Sequence, residues 1–422
     1  MVSVSVPAST RQISYRDLYA RWERGNWSAT SIDFSQDKID WQEKMTEQQR
    51  RSALWLYSLF FHGEDSVADN LSPYIDAAPL EEQKYFLTTQ QVDEARHSVF
   101  FQRFMEEVAG VGDGTAAGAM RATADQLSWG HRKVFARLDE MADELRRDRS
   151  KRKLAAAVTL YHIVVEASLA QPGQHMIERY LTEYDLLPGF REGMANVALD
   201  EQRHIGFGVK LLADLCEEDP RCADAIVETI REVLPWTSVV PLPPNRDRSY
   251  TECFGFTLED LFEEGARSQE ARLRAIGLPV DDLPRFPLPM DLSPRERGER
   301  GLALIEAGLV GPKDVPVRPE PRAVAILFDT IRRQADASKV PPGTVVQWDF
   351  ADAEPWYLRC DDGATAVHRG RAPKADVTLK ARFEDFADVT AQRADPRWLM
   401  LRGRIRAKGN PRLLLKLPKL FA

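Results

Sequence analysis

Two pentapeptides carry most of the chemistry legible in this 422-residue chain: DEARH, from Asp93 to His97, and DEQRH, from Asp200 to His204. In a helix, residues three apart are neighbours on one face. Glu94 with His97, and Glu201 with His204, therefore each offer a carboxylate and an imidazole to one point. Both pairs stand in apolar runs, QKYFLTTQQVDEARHSVFFQRFMEEV and MANVALDEQRHIGFGVKLLADL. A solvated helix face would account for a single copy. Two copies on apolar helices point instead to a bound cation, because a buried charge without a partner is costly.

Two more acids interrupt apolar helical runs: Glu64 in WLYSLFFHGEDSVADNL and Glu166 in LYHIVVEASLA. Along the chain the order is Glu64, Glu94 with His97, Glu166, Glu201 with His204, a duplicated half-site on four helices. Four carboxylates and two imidazoles suit a di-iron or a manganese and iron centre, with carboxylates bridging two cations and one histidine nitrogen at each end. A metal-bound histidine donates its second ring proton to an outer group. Asp93 and Asp200 are the candidates, each serving the histidine of the other pair; exposed acids are the alternative. Arg96 and Arg203 either balance these acids or form salt bridges at the bundle surface. His162, four before Glu166, shares its helical face and reads as a satisfied core histidine.

Long helices must position these groups. Apolar residues recur at helical spacing from about Met45 to Leu234, with breaks at Gly110–Gly114, around Leu187, Pro188 and Gly189, and at Asp219 and Pro220. Four principal helices with additional ones around them give a bundle. From Gly277 the chain turns proline-rich, which disfavours helix interiors and sheets and reads as a linker over the surface. Beyond Arg322 a helix, AVAILFDTIRRQ, is followed by short β-type runs, a second helix, a strand through LRGRIRAKG and an apolar end, a small α+β domain. The division expected is 1–276, a linker 277–321, and 322–422.

Composition agrees. At 43% hydrophobic and 29% charged residues the chain is ordinary globular material, no apolar run reaches the roughly 18 residues of a membrane span, and MVSVSVPASTRQ lacks a signal-peptide core. A cytoplasmic protein is expected. Cys216, Cys222, Cys253 and Cys360 are scattered, which favours free thiols. From Arg322 onward 19 Lys+Arg face 12 Asp+Glu, a net +7, leaving −15 for the rest of a chain whose total is −8.

WSATSIDFSQDKIDWQ, FFHGEDSVADNLSPY, DEARHSVFFQRF, the Glu166 helix and LDEQRHIGFG together resemble the ribonucleotide reductase small-subunit superfamily, from about Tyr15 to Lys210, and within it the ligand-binding oxidases. The resemblance implies a mainly α, ferritin-like bundle with a dinuclear metal site, a manganese and iron cofactor or a di-iron one, dioxygen as oxidant, a long-chain fatty acid or lipid-like ligand, and a homodimer. It also implies a tyrosine-to-valine ether crosslink, which falls on Tyr161 and Val67. Val67, three after Glu64, agrees with helix geometry. Tyr161, five before Glu166, does not, since five residues of α-helix turn it well away.

The C-terminal ADVTLKARFEDFADVTAQRADPRWLMLRGRIRAKGNPRLLLKLPKLF is similar to the sterol carrier protein type 2 family, which implies a lipid-binding α+β domain over about 322–422. Its basic run, Arg402, Arg404, Arg406, Lys408, Arg412, Lys416 and Lys419, suits anionic lipid or a carboxylate head group and a transient membrane contact. Nucleic acid is not expected, because no stacking aromatics alternate with these charges. LLLKLPKLF is expected to pack on its own domain.

The reading is an oxygen-activating oxidase fused to a lipid-binding module. A ribonucleotide reductase subunit is the first alternative. It normally has a radical tyrosine four residues past the first metal histidine, where this chain has Phe101, although some subunits work with phenylalanine there. A di-iron N-oxygenase and a non-catalytic lipid carrier are the others.

Overall fold

Thr46 opens the first long helix with a reciprocal cap: its hydroxyl accepts from Gln49 N at 3.2 Å while Gln49 Oε1 accepts from Thr46 N at 2.9 Å. Two of the N–H groups that a helix start leaves unpaired are thereby satisfied. The computed structural model describes residue 2, residues 4–283 and residues 285–421, and the chain forms two units, 1–281 and 282–422.

In the first unit the elements that matter are α1 (Tyr15–Arg24), α2 (Glu47–Asn70), α3 (Glu81–Glu107), α4 (Trp129–Arg147) and α5 (Lys151–Val158). Helix α5 runs on as a π-helix (Thr159–Ala170) into α6 (Gln171–Glu183). Then come α7 (Pro188–Glu218), α8 (Arg221–Thr237) and α9 (Leu258–Ile276). Helix α2 packs on α3, and α7 on the π segment. Gly208 permits the second contact, since a Cβ there would lie 2.3 Å from His162 Cβ. The core is an aromatic cluster in which Phe190 of α7 meets Tyr57 at 4.1 Å and Phe104 at 4.4 Å between ring centroids. The run Lys151–Glu183 is long and apolar enough to cross a membrane, beyond what the sequence suggests, but 72% of its most apolar window is buried among the other helices. It is the central helix of the bundle.

The start of α7 is held from a distance. Leu187 adopts φ +48°, and the N–H groups of the first turn meet two acids of the segment SIDFSQDKIDW. Asp37 accepts from Gly189 N at 2.9 Å and Phe190 N at 2.7 Å, and Asp40 accepts from Leu187 N at 3.0 Å. Carboxylates at a helix N-terminus satisfy its orphan donors and favour its dipole. Gly189 is required there, because a Cβ would come within 2.2 Å of Asp33 O.

The second unit begins inside the stretch expected to be a linker. Ser293 and Glu296 form a capping box with Pro294 at the first helical position, and they start α10 (Pro294–Glu306), which buries Leu302 and Ile305. Proline at that position has no intrahelical bond to lose, so density of proline does not exclude a helix. After α11 (Pro321–Gln334) come β1 (Thr344–Phe350), β2 (Trp356–Asp361), β3 (Ala364–Arg369), β4 (Val377–Ala381), α12 (Phe383–Thr390) and β5 (Arg406–Gly409). The sheet order is β3-β2-β1-β4-β5, with β1 and β4 parallel and the other neighbours antiparallel. Phe328 of α11 stacks on Trp356 at 4.8 Å and Phe386 at 5.5 Å within its core. Leu413, Leu417 and Leu420 pack into that core, whereas Trp398 and Leu401 stay 62% and 77% exposed. The four cysteines are free thiols.

Candidate metal centre

Glu64 stands on α2, Glu94 and His97 on α3, Glu166 on the π segment, and Glu201 and His204 on α7; all six are at most 6% exposed. They form two overlapping groups, Glu64, Glu94, His97 and Glu201, and Glu94, Glu166, Glu201 and His204, whose ligand atoms in each group lie within 4.8 Å of one another. Glu94 and Glu201 belong to both. His97 Nδ1 is 3.2 Å from Glu64 and 3.5 Å from Glu94, and His204 Nδ1 is 3.2 Å from Glu94 and 3.5 Å from Glu166.

The outward nitrogens meet the aspartates in a crossed pattern. His97 Nε2 is 3.1 Å from Asp200 Oδ2 and His204 Nε2 is 3.1 Å from Asp93 Oδ2. A carboxylate only accepts, so each Nε2 carries the proton and each Nδ1 faces the acids. The aspartates receive further donors in matched sets. Trp22 Nε1 donates to Asp93 and Trp27 Nε1 to Asp200, both at 2.8 Å, and Arg96 and Arg203 each bond to both aspartates. The two arginines are charge partners of the aspartates, Arg203 buried and Arg96 half-buried, not surface groups.

Charge governs the interior. Burial pushes Glu64, Glu166 and Glu201 above the usual carboxylate range. Glu94 is buried too, but His204 and His97 hold it well below that range. Burial would lower both imidazoles, yet the carboxylates around them raise them well above the ordinary value. The protein alone can keep these acids together only by sharing protons among them. Two divalent cations would balance the four carboxylates instead. Glu166 Oε2, Glu201 Oε2 and His204 Nδ1 have no hydrogen-bond partner although fully buried, so lone pairs are left for such cations. The donor set of oxygens and imidazole nitrogens fits them.

The π-helix resolves the position of Tyr161. Its turns close between residues five apart, where an α-helix would turn the fifth residue about 140° away. Tyr161 therefore shares the inner face with Glu166 and donates to Glu94 Oε1 at 2.5 Å. Gln90, which spacing alone did not single out, stands one turn before Glu94 and donates to Tyr161 Oη and to Glu166 Oε1, both at 2.9 Å. His162 donates from Nε2 to Gln90 Oε1 at 3.2 Å and is no part of the acid cluster. Val67 and Tyr161 both line an apolar channel that ends on Glu64, Glu94, Glu166 and Glu201. His97 and His204 lie away from it, so a ligand in the channel meets the carboxylate side.

Residues 10–235 match the model of the ribonucleotide reductase small chain, and residues 328–422 match that of the SCP-2 sterol transfer family. Among solved structures, an R2-like ligand-binding oxidase from Sulfolobus acidocaldarius is 26% identical, with a TM-score of 0.53 over 67% of this chain and 93% of that one. A point mutant of an R2-like ligand-binding oxidase with anaerobically reconstituted Mn/Fe cofactor is also 26% identical, with a TM-score of 0.53 over 63% of this chain and 94% of that one. Another, with a non-activated Mn/Mn cofactor, is 25% identical with a TM-score of 0.54 over 63% and 93%. Since the small-chain match spans more than half of the chain and contains both half-sites, the protein belongs to the ribonucleotide reductase small-chain family, with an SCP-2 sterol transfer domain at its C-terminal end.

Proposed function

We propose that the chain is a dinuclear metal oxidase that uses manganese and iron with dioxygen to oxidise a long-chain fatty acid or similar lipid. The observation that carries this reading is the apolar channel ending on four of the six ligands. Glu64 and His97 would hold one cation, Glu166 and His204 the other, with Glu94 and Glu201 shared between them. When bound, the cations supply the redox chemistry with dioxygen that no side chain here offers. Asp93 and Asp200 keep the imidazole protons outward, Arg96 and Arg203 neutralise those aspartates, and Gln90 fixes the Tyr161 phenol against Glu94. The closely packed helices keep bulk water from the cluster.

Phe101 supports an oxidase over a radical-storing reductase subunit, since it is fully buried and stacks on Phe60 at 5.8 Å with no hydroxyl to offer. The SCP-2 unit would hold or deliver acyl chains. Tyr85, Val92 and Val99, seven apart on α3 and 39–57% exposed, suit a second copy of the chain. The exposed Trp398 and Leu401 beside the basic run suit an anionic lipid surface. Sedimentation velocity of the intact chain, with and without anionic vesicles, tests both contacts.

The test of the oxidase reading is anaerobic loading with Mn(II) and Fe(II), then oxygen, with metal analysis and peptide mass spectrometry. An ether between Tyr161 Oη and a Val67 carbon forms as the O–H and a C–H bond break, the two protons and two electrons released being taken up by dioxygen. The two peptides should therefore appear joined, about 2 Da lighter than their sum, only after oxygen, and not in Tyr161→Phe. Separate peptides after measured oxygen uptake would move the reading toward an N-oxygenase, and no metal uptake at all toward a lipid carrier.

A further inference from the structure

The apolar channel contains two polar groups that the metal centre does not use. Trp55 is 1% exposed and lines the channel, and its indole N–H has no hydrogen-bond partner. A buried donor left unmade is rare in a native protein. His131 lines the same channel at 3% exposure, under the ring of Phe135 at 4.3 Å. Its Nε2 stands 3.3 Å from Leu59 O. A carbonyl accepts and cannot donate, so Nε2 carries the proton and Nδ1 is left with a lone pair. Burial holds this imidazole down to about 3, which keeps it neutral.

Their places along α2 set a register. Trp55, Leu59, Gly63 and Val67 repeat every fourth residue and line one wall. Trp55 lies nine residues before Glu64, about 13 Å along the helix axis, and His131 sits at the level of Leu59, roughly 7 Å from it. Among the described residues no lysine or arginine lines the channel. A second carboxylate on a bound chain would therefore be buried without a cation, at high cost. A hydroxyl suits both groups, since its oxygen accepts and its proton is donated.

We propose that the channel selects a long acyl chain carrying a neutral hydroxyl between the levels of Leu59 and Trp55, with the Trp55 N–H donating to its oxygen and His131 Nδ1 accepting its proton. The proposal rests on the reading of this channel as the substrate site. It makes Trp55 and His131 specificity-determining residues, distinct from the groups that hold the cations.

The experiment is anaerobic calorimetric titration of the delipidated, metal-loaded full chain. The probes are hexadecanoic acid and a series of hydroxyhexadecanoic acids with the hydroxyl stepped along the chain. One position near the middle of the chain should bind about tenfold more tightly than the plain acid. In Trp55→Phe that preference should shrink to within about twofold. Equal affinity along the whole wild-type series would overturn the proposal while leaving the oxidase reading intact. So would a preference that survives undiminished in Trp55→Phe. Should Trp55→Phe fail to fold, His131→Phe, which removes the lone pair and keeps a ring under Phe135, takes its place. Failure of every chain to bind a protein with two metals in place would overturn the lipid substrate reading and the proposal with it.

Discussion

Glu94 and His204 show how much of the centre depends on single side chains. Glu94 belongs to both ligand groups, and His204 supplies the imidazole of one. Glu94→Ala or His204→Ala should reduce bound metal from two per chain to one or none by elemental analysis, with the helical circular dichroism unchanged, because the aromatic core is separate from the ions. Two metals held at wild-type affinity in the double variant would refute the ligand assignment. Asp200→Asn removes the negative charge behind His97, which Trp27, Arg96 and Arg203 also address, and should weaken metal binding by roughly 10- to 100-fold. The six residues of the acid and imidazole cluster were legible in the sequence because their spacing repeats and because acids in apolar runs stand out. Trp22, Trp27, Gln90 and Trp55 were not. Neutral polar and indole groups leave no such contrast, and the groups they serve or await come from segments far along the chain or from a ligand.

At the scale of the element, close approach decides what the helices tolerate. Gly206 and Gly208 lie on the same helix, but a Cβ at Gly206 meets nothing within 4 Å whereas one at Gly208 strikes His162. Gly206→Ala should stabilise the protein by about 0.5–1 kcal/mol, the usual gain for alanine over glycine in a helix interior. Gly208→Ala should destabilise it by about 1–3 kcal/mol through overpacking against the π segment. Chemical denaturation of the two variants with matched metal content checks the contrast. Helices were readable from periodicity, but the π-helix was not, because apolar residues fill six of the nine positions from Thr159 to Ala167, all nine are buried, and no face is marked. Its one trace was the conflict between Tyr161 and α-helical geometry.

For the whole molecule, the expected boundary at residue 322 divides the second unit. Asp291 pairs with Arg333 at 2.6 Å, Arg300 with Asp329 at 2.6 Å, and Phe286 O accepts from Gln334 at 3.0 Å. Ala307 and Leu309 are also fully buried in its core. A piece spanning 282–422 should therefore fold with a higher urea midpoint than one spanning 322–422, by an amount equivalent to about 2–4 kcal/mol for the lost apolar burial. Equal midpoints would show that α10 adds nothing. The change of fold class near residue 322 was plain from the strand periodicity; the helix before it was hidden by proline, whose cost depends on position rather than on number.

The hold of Asp37 and Asp40 on the start of α7 also has a kinetic meaning. The bonds join parts of the chain 147 to 153 residues apart, so they close a large loop in the first unit. Loops of that size close late and slowly. Until they do, Glu64, Glu94 and His97 would form an open half-cluster facing water, with the acids of the second half not yet crowded against them. Docking of α7 is then the step that brings the charges together, and metal ions available at that moment would speed it by relieving their repulsion. Refolding followed by tryptophan fluorescence should slow several-fold in Asp37→Asn and quicken with added Mn(II) and Fe(II) under nitrogen; rates indifferent to both would place the docking of α7 before the slow step.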